Sequence, residues 1–207
     1  MARSRDTTPD EAGTKGGLPI VTFEDLPTLE RWYDEHADTA PGMWVRFAKA
    51  GSGARSVSRA DALDVALCHG WIDGQAASVD ESWWLQRFTP RRSTSRWSQI
   101  NCAKAEELIA AGRMRERGRA EVDAAKADGR WDAAYAGPRA AQVPPDQQAA
   151  IEANPAAAAF FPTLSSQNRY AILHRLGAVK RPETRARKIE QYVAMLAAGE
   201  TIHPARR

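Results

Sequence analysis

The stretch Trp83-Trp84-Leu85-Gln86-Arg87-Phe88-Thr89-Pro90-Arg91-Arg92-Ser93-Thr94-Ser95-Arg96-Trp97-Ser98-Gln99-Ile100-Asn101 decides the fold class. Trp83 to Phe88 is aromatic and reads as a strand, which Pro90 ends. From Ser95 the spacing becomes helical: Trp97, Asn101, Ala105 and Leu108 share one face, and Gly112 closes the helix after Ala111. The same nineteen residues hold four arginines, three tryptophans and no carboxylate. Backbone N–H groups at a helix start are unpaired and carry partial positive charge, so an arginine-rich loop feeding one forms a natural anion site.

Upstream, residues 1–17 are polar and read as a disordered tail, without the apolar run of a signal peptide. Thr22-Phe23-Glu24-Asp25 has the spacing of a capping box, and the helix it opens carries Leu26, Leu29, Trp32 and Tyr33 as far as Asp38. Met43 to Ala48 is a strand, and Gly51-Ser52-Gly53 a turn. Ser58 and Asp61 start a second helix, apolar from Ala62 to Cys68 except at Asp64 and capped by Gly70. Trp71-Ile72-Asp73-Gly74 then reads as a turn.

Downstream, residues 117–128 form a short helix, and the proline-rich segment 138–145 a linker. Helices follow at 145–153, 156–161, 167–176 and 182–198, the last ended by Gly199. The predicted architecture is α+β. A small antiparallel sheet packed by helices occupies residues 18–137, and residues 146–204 form a helical C-terminal subdomain.

Several motifs resemble those of the YdeI/OmpD-associated family. They are Ala66-Leu67-Cys68-His69-Gly70-Trp71-Ile72-Asp73-Gly74, Arg87-Phe88-Thr89-Pro90-Arg91-Arg92, Trp97-Ser98 with Asn101, Gly112-Arg113-Met114, Ala127-Asp128-Gly129-Arg130-Trp131 and Arg181-Pro182-Glu183-Thr184-Arg185. The resemblance runs from about residue 20 to residue 204. It implies a part in protection against bacteriocins and cationic antimicrobial peptides, and association with an outer-membrane porin. It brings no catalytic residues with it.

Charge narrows the function classes. A net charge of +3 is too small to argue for nucleic acid by itself, but it is unevenly placed. Residues 87–104 carry five positive charges and no negative one, and residues 169–188 carry seven against Glu183 alone. Two cysteines, Cys68 and Cys102, provide neither a disulfide framework nor metal spacing, so a reducing cytoplasm is expected. No run reaches the ~18 apolar residues needed to cross a membrane, so no membrane partner is expected. The four histidines make no metal set, no cofactor is implied, and P-loop, nucleophile-elbow and zincin motifs are absent.

The arginine forks of Arg87, Arg91, Arg92 and Arg96 match phosphate or carboxylate bidentately. Strand alternation places Trp83 and Arg87 on one face, suited to a planar anion through stacking plus charge. The competing fate of these arginines is pairing with Asp61, Asp73, Asp80 or the carboxylates of the following helix. Asp73, beside Gly74, is a general-base candidate or an arginine partner, against the commoner role of a turn aspartate. Cys68 and His69 are adjacent on a helix and point roughly 100° apart, so they do not form a dyad. Asn101 either bonds a ligand or caps a loop.

The expected function is binding of a small anionic ligand in a pocket lined by Trp71, Trp83, Arg87, Arg91, Arg92, Trp97 and Asn101. Asp73 is the proton acceptor if catalysis occurs, and Arg91→Ala should abolish binding while sparing the fold. Nucleic-acid binding through both basic regions, and a protective interaction role, are the alternatives.

Overall fold

The computed structural model describes residues 10–204. Its backbone divides into two compact units. One comprises the residues up to Trp97 together with Asn101–Ala133; the other comprises Ser98–Ile100 with the residues from Ala134 onward.

The first unit is built on a five-stranded sheet of β1 (Asp10–Lys15), β2 (Leu18–Thr22), β3 (Met43–Ala48), β4 (Trp71–Ser78) and β5 (Trp83–Pro90), in the order β1-β2-β3-β5-β4. The α+β class is therefore as expected. The sheet is mixed and not purely antiparallel, because β2 and β3 pair in parallel through Ile20↔Trp44 and Val21↔Val45. Helix α1 (Leu26–His36) supplies the crossover that a parallel pair requires.

Two further expectations are corrected. Residues 1–9 of the expected tail lie outside the described residues, but residues 10–17 are a hairpin arm and its turn. Gly16 and Gly17, at φ +58° and +77°, provide the two left-handed positions of a two-residue hairpin loop, with Lys15 opposite Leu18. Nor is Trp71–Gly74 a turn: it opens β4, and the irregularity that Asp-Gly signals is a register shift between Asp73 and Ala76.

Helix α1 is capped by Asp25, whose carboxylate accepts the Thr28 N–H at 2.9 Å. Thr22 is the last residue of β2, and its hydroxyl accepts from Arg46 Nε at 2.7 Å. The Ser58 cap of α2 (Arg59–Cys68) forms as the spacing predicts: its Oγ accepts from the Asp61 N–H at 3.1 Å and donates to the Asp61 carboxylate at 2.7 Å. Gly70, at φ +72°, takes the left-handed position just past that helix. Helices α1 and α2 cover one face of the sheet, where Phe23, Leu29, Trp32, Tyr33, Trp71 and Phe88 form the core with Val45 and Phe47.

Helix α3 (Gln99–Ala110) starts four residues later than expected, and α4 (Glu116–Ala127) packs across the end of α2. That crossing depends on Gly118. A Cβ there would run into the Cys68 carbonyl oxygen and lie 2.8 Å from that of Leu67, both of them backbone atoms that cannot turn aside.

The second unit is helical: α5 (Pro145–Glu152), α6 (Pro155–Phe160), a 3-10 turn at Phe161–Thr163, α7 (Ser166–Gly177) and α8 (Pro182–Ala197). Ile151, Phe161, Ile172, Leu176, Ile189 and Leu196 form its core. The expected linker over 138–145 lies within this unit, where the Ala140 and Ala141 N–H groups turn back onto the Gly137 carbonyl. Arg185 of α8 holds Asp146 of α5 bidentately, at 2.6 and 2.8 Å, and donates to the Leu176 carbonyl. The buried Asn168 of α7 clamps the backbone of His203, accepting its N–H at 2.8 Å and donating to its carbonyl at 3.0 Å.

Gly118→Ala is expected to lower stability by about 2 kcal/mol through backbone overpacking. That is a melting-point drop of roughly 4–8 °C for a chain of this size. An unchanged melting point would show that α4 shifts away from α2 without penalty.

Candidate functional site

The arginine-rich loop is built inward. Arg91 is 6% exposed, lies with its guanidinium carbon 3.5 Å from the centre of the Trp97 ring, and donates to the Arg96 carbonyl. Trp97, 1% exposed, packs against Trp131 at 4.9 Å, and the Lys126 ammonium lies 4.9 Å from the Trp131 ring. Arg130 bonds both carboxylate oxygens of Asp128 and reaches the Ser95 carbonyl at 3.2 Å. Two motifs distant in sequence, around Arg91 and around Trp131, thus form one cation–aromatic stack.

The serine expected to open the helix closes a turn instead: Ser95 Oγ accepts from the Arg92 N–H, and the Ser95 N–H donates to the Arg92 carbonyl. Helix α3 then begins at Gln99, whose N–H donates to the Tyr135 carbonyl. One of the donors expected to meet an anion is therefore occupied by the chain itself.

The remaining expected site residues are dispersed. Trp71 is fully buried, donates its indole N–H to the Ala37 carbonyl at 3.1 Å, and meets Trp32 and Tyr33 edge-on; no face is left for a ligand. Trp83 carries the Arg46 guanidinium 4.6 Å from its ring centre. Arg87 stands opposite Trp44 in the β3–β5 register and is half-buried. Asn101 is buried in the first turn of α3, and Arg92 is exposed. Asp73 takes the arginine-partner role, its carboxylate 2.6 Å from Arg59 Nη2.

Arg59 leads to a feature that the sequence reading passed over. The loop from Ala48 to Ser58, between β3 and α2, borders an open cavity of about 620 Å³. Its lining includes the cations Lys49, Arg55 and Arg59, with Glu24 the one carboxylate, and the aromatic residues Phe47, which is buried, and Trp84, which is half-buried. These two rings are directly opposed in the β3–β5 register and stack with centroids 4.9 Å apart. Lys49 donates to the Asp80 carbonyl at 2.6 Å and to Ser78 Oγ at 3.3 Å. Arg55 is exposed and has no partner among the described residues. Gly51 and Gly53, at φ +77° and +75°, leave open space beside the loop backbone. The available signal was a glycine pair flanked by Lys49 and Arg55 just before a helix.

A second cleft, of about 240 Å³, is lined by Glu30, Val65, Cys68, His69, Gly112, Arg113 and Arg115. Its charges are largely matched internally: Arg115 lies 2.9 Å from Asp34, and Arg113 lies 3.7 Å from Glu30 and 4.0 Å from Asp64. Burial pushes the Cys68 thiol above its ordinary range, and Cys102 up to about 11, so both remain protonated and poor nucleophiles. Burial also lowers the pKa of His69, against the opposing pull of Asp34 3.6 Å away. Among the described residues no His, Cys, Asp or Glu cluster is arranged to hold a metal.

These geometries yield two expectations. Arg91→Ala should cost about 2 kcal/mol, the value of a desolvated cation–π contact, whereas Arg92→Ala should stay within about 0.5 kcal/mol. Urea midpoints of the two variants measure this, and equal midpoints would contradict the stack's structural role. For His69, an unfolded histidine takes up a proton below about pH 6.5 that the buried one resists, so its contribution is present above that pH and lost as pH falls. Wild-type stability should therefore fall more steeply from pH 7 to 5.5 than that of His69→Gln; parallel profiles would remove His69 as the cause.

Among the described residues no helix is long and apolar enough to cross a membrane. Residues 21–121 match the model of a domain of unknown function (DUF8412), and residues 140–199 match that of the family described as Bacteriocin-protection, YdeI or OmpD-Associated. No curated protein and no solved structure matches the chain. The motifs around Trp71, Arg91 and Arg113 fall in the first matched segment, and Arg181–Arg185 in the second. Residues 140–199 are thus similar to the YdeI/OmpD-associated, bacteriocin-protection family that the motifs of the chain resemble.

Proposed function

We propose that the protein binds a small anionic ligand, and that the ligand occupies the cavity between the Ala48–Ser58 loop and the Phe47–Trp84 pair. The observation that carries this reading is Arg55, an unpartnered guanidinium lining the same cavity as Lys49 and Arg59. A guanidinium whose donors are left to solvent beside two other cations is available to take up carboxylate or phosphate bidentately. Asp73 enters the site indirectly, by fixing Arg59. The ligand class matches the sequence reading, while the location moves from the buried Arg91–Trp97 stack to the loop before α2. The two buried thiols suit a reducing compartment, and we place the protein in the cytoplasm.

The family match supports a second reading, a protective role against antimicrobial peptides. An apolar pocket of about 370 Å³ lined by Pro138, Ser166, Gln167, Tyr170, Ala171 and His203 lies largely in the matched segment and would serve it.

A thermal-shift screen against sugar phosphates, nucleotides, carboxylates, short oligonucleotides and a cationic peptide, at two salt concentrations, separates these readings. A small anion at ~100 times its dissociation constant stabilises by about 2.7 kcal/mol, a shift of several degrees. That shift should vanish in Arg55→Ala. Stabilisation by the peptide alone, or by oligonucleotides alone and at low salt, would overturn the small-anion reading.

A further inference from the structure

We infer that the ligand is a phosphate ester of a planar ring, with its phosphate against Lys49, Arg55 and Arg59 and its ring against Trp84. The inference rests on the small-anion reading above and narrows it.

The polar wall favours phosphate over carboxylate by its supply of donors. All five N–H donors of Arg55 are free among the described residues, and one of the three Lys49 ammonium donors remains after Asp80 and Ser78 are satisfied. Arg59 commits one nitrogen to Asp73, so its other N–H groups remain to be used. Such a wall is rich in donors and holds one carboxylate, Glu24. Three terminal phosphate oxygens carrying close to two negative charges can take up more of these donors than the two oxygens of a carboxylate. The open approach to the backbone at Gly51 and Gly53 lets the bulkier group lie close to the loop.

The ring is called for by the aromatic residue in the lining, Trp84, and by size. A cavity of about 620 Å³ falls within the range of ligand pockets and far exceeds the needs of a lone phosphate. Trp84 is half-buried and is backed by the buried Phe47 ring stacked on it, and aromatic faces accept planar rings in offset or edge contact. Three cations and a tryptophan in one lining are the combination expected for a phosphorylated aryl or nucleoside compound.

Asp73 is a positioning residue here. Its bond to Arg59 ties the start of α2 to β4 and fixes which guanidinium edge remains for the ligand. It is not itself in the cavity lining.

Calorimetric titration of the full chain with phenyl phosphate, benzoate, adenosine 5′-monophosphate, adenosine and inorganic phosphate tests the inference. At least one of the two ring phosphates should bind tenfold or more tightly than inorganic phosphate, benzoate and adenosine. Arg55→Ala, an exposed position that leaves the core untouched, should weaken that ring phosphate at least tenfold and change adenosine little. Asp73→Asn should weaken the same phosphate without altering adenosine, a split that loss of fold would not produce. Benzoate, adenosine or inorganic phosphate binding as tightly as the tighter of the two ring phosphates would overturn the inference, and with either of the two anions it would leave the small-anion reading standing. Binding by none of the four anions would overturn both.

Discussion

The first unit hangs on the indole of Trp71. Immediately after the left-handed Gly70, this side chain turns under the sheet and gives its N–H to the carbonyl of Ala37, just past α1. It meets Trp32 and Tyr33 edge-on, so the end of α2, the start of β4 and the whole of α1 are fixed by one residue. The Ala37 carbonyl also accepts from Arg117 of α4. A buried indole with its donor satisfied tolerates few alternatives, because moving it would strand a polar group in an apolar core. With α2 set in this way, the loop that precedes it, and the cavity beside that loop, have a defined floor.

Several arginines of this chain serve as internal mortar. Arg91 completes a stack with Trp97 and Trp131, Arg130 staples the loop before α3, and Arg185 joins two helices of the second unit. Guanidinium suits such work because it is planar, weakly hydrated and able to satisfy several acceptors at once. An arginine within a dense basic motif can therefore be part of the fold. Arg91 does so through Trp97, while the exposed Arg55 has no partner among the described residues.

Much of the fold was legible because its punctuation is local. Ser58, Gly70, Gly112 and Gly199 mark helix ends through caps and left-handed backbone, which depend on a few adjacent residues. Strands β3 and β5 declared themselves through aromatic and β-branched residues. The β1–β2 hairpin was missed because its first arm, Asp10–Lys15, lacks an apolar alternation, and β4 because Asp73-Gly74 imitates a turn. The parallel pairing of β2 with β3 is a long-range choice that no local pattern encodes. The site was harder still. Spacing showed where cations cluster along the chain, but not that Arg91 is covered by Trp97, nor that Lys49, Arg55 and Trp84 border one cavity.

Asn168 holds His203 only through backbone atoms, as a strand partner would. The clamp therefore reads the path of the chain and not its side chains, so the residue at 203 can change freely while the anchorage persists. The length of the polypeptide up to that point cannot change so freely. An amide buried to this degree, deprived of its two bonds to His203 and left with Ser165 alone, becomes a liability within α7, and the helical unit is thereby tied to having a tail that reaches back to it.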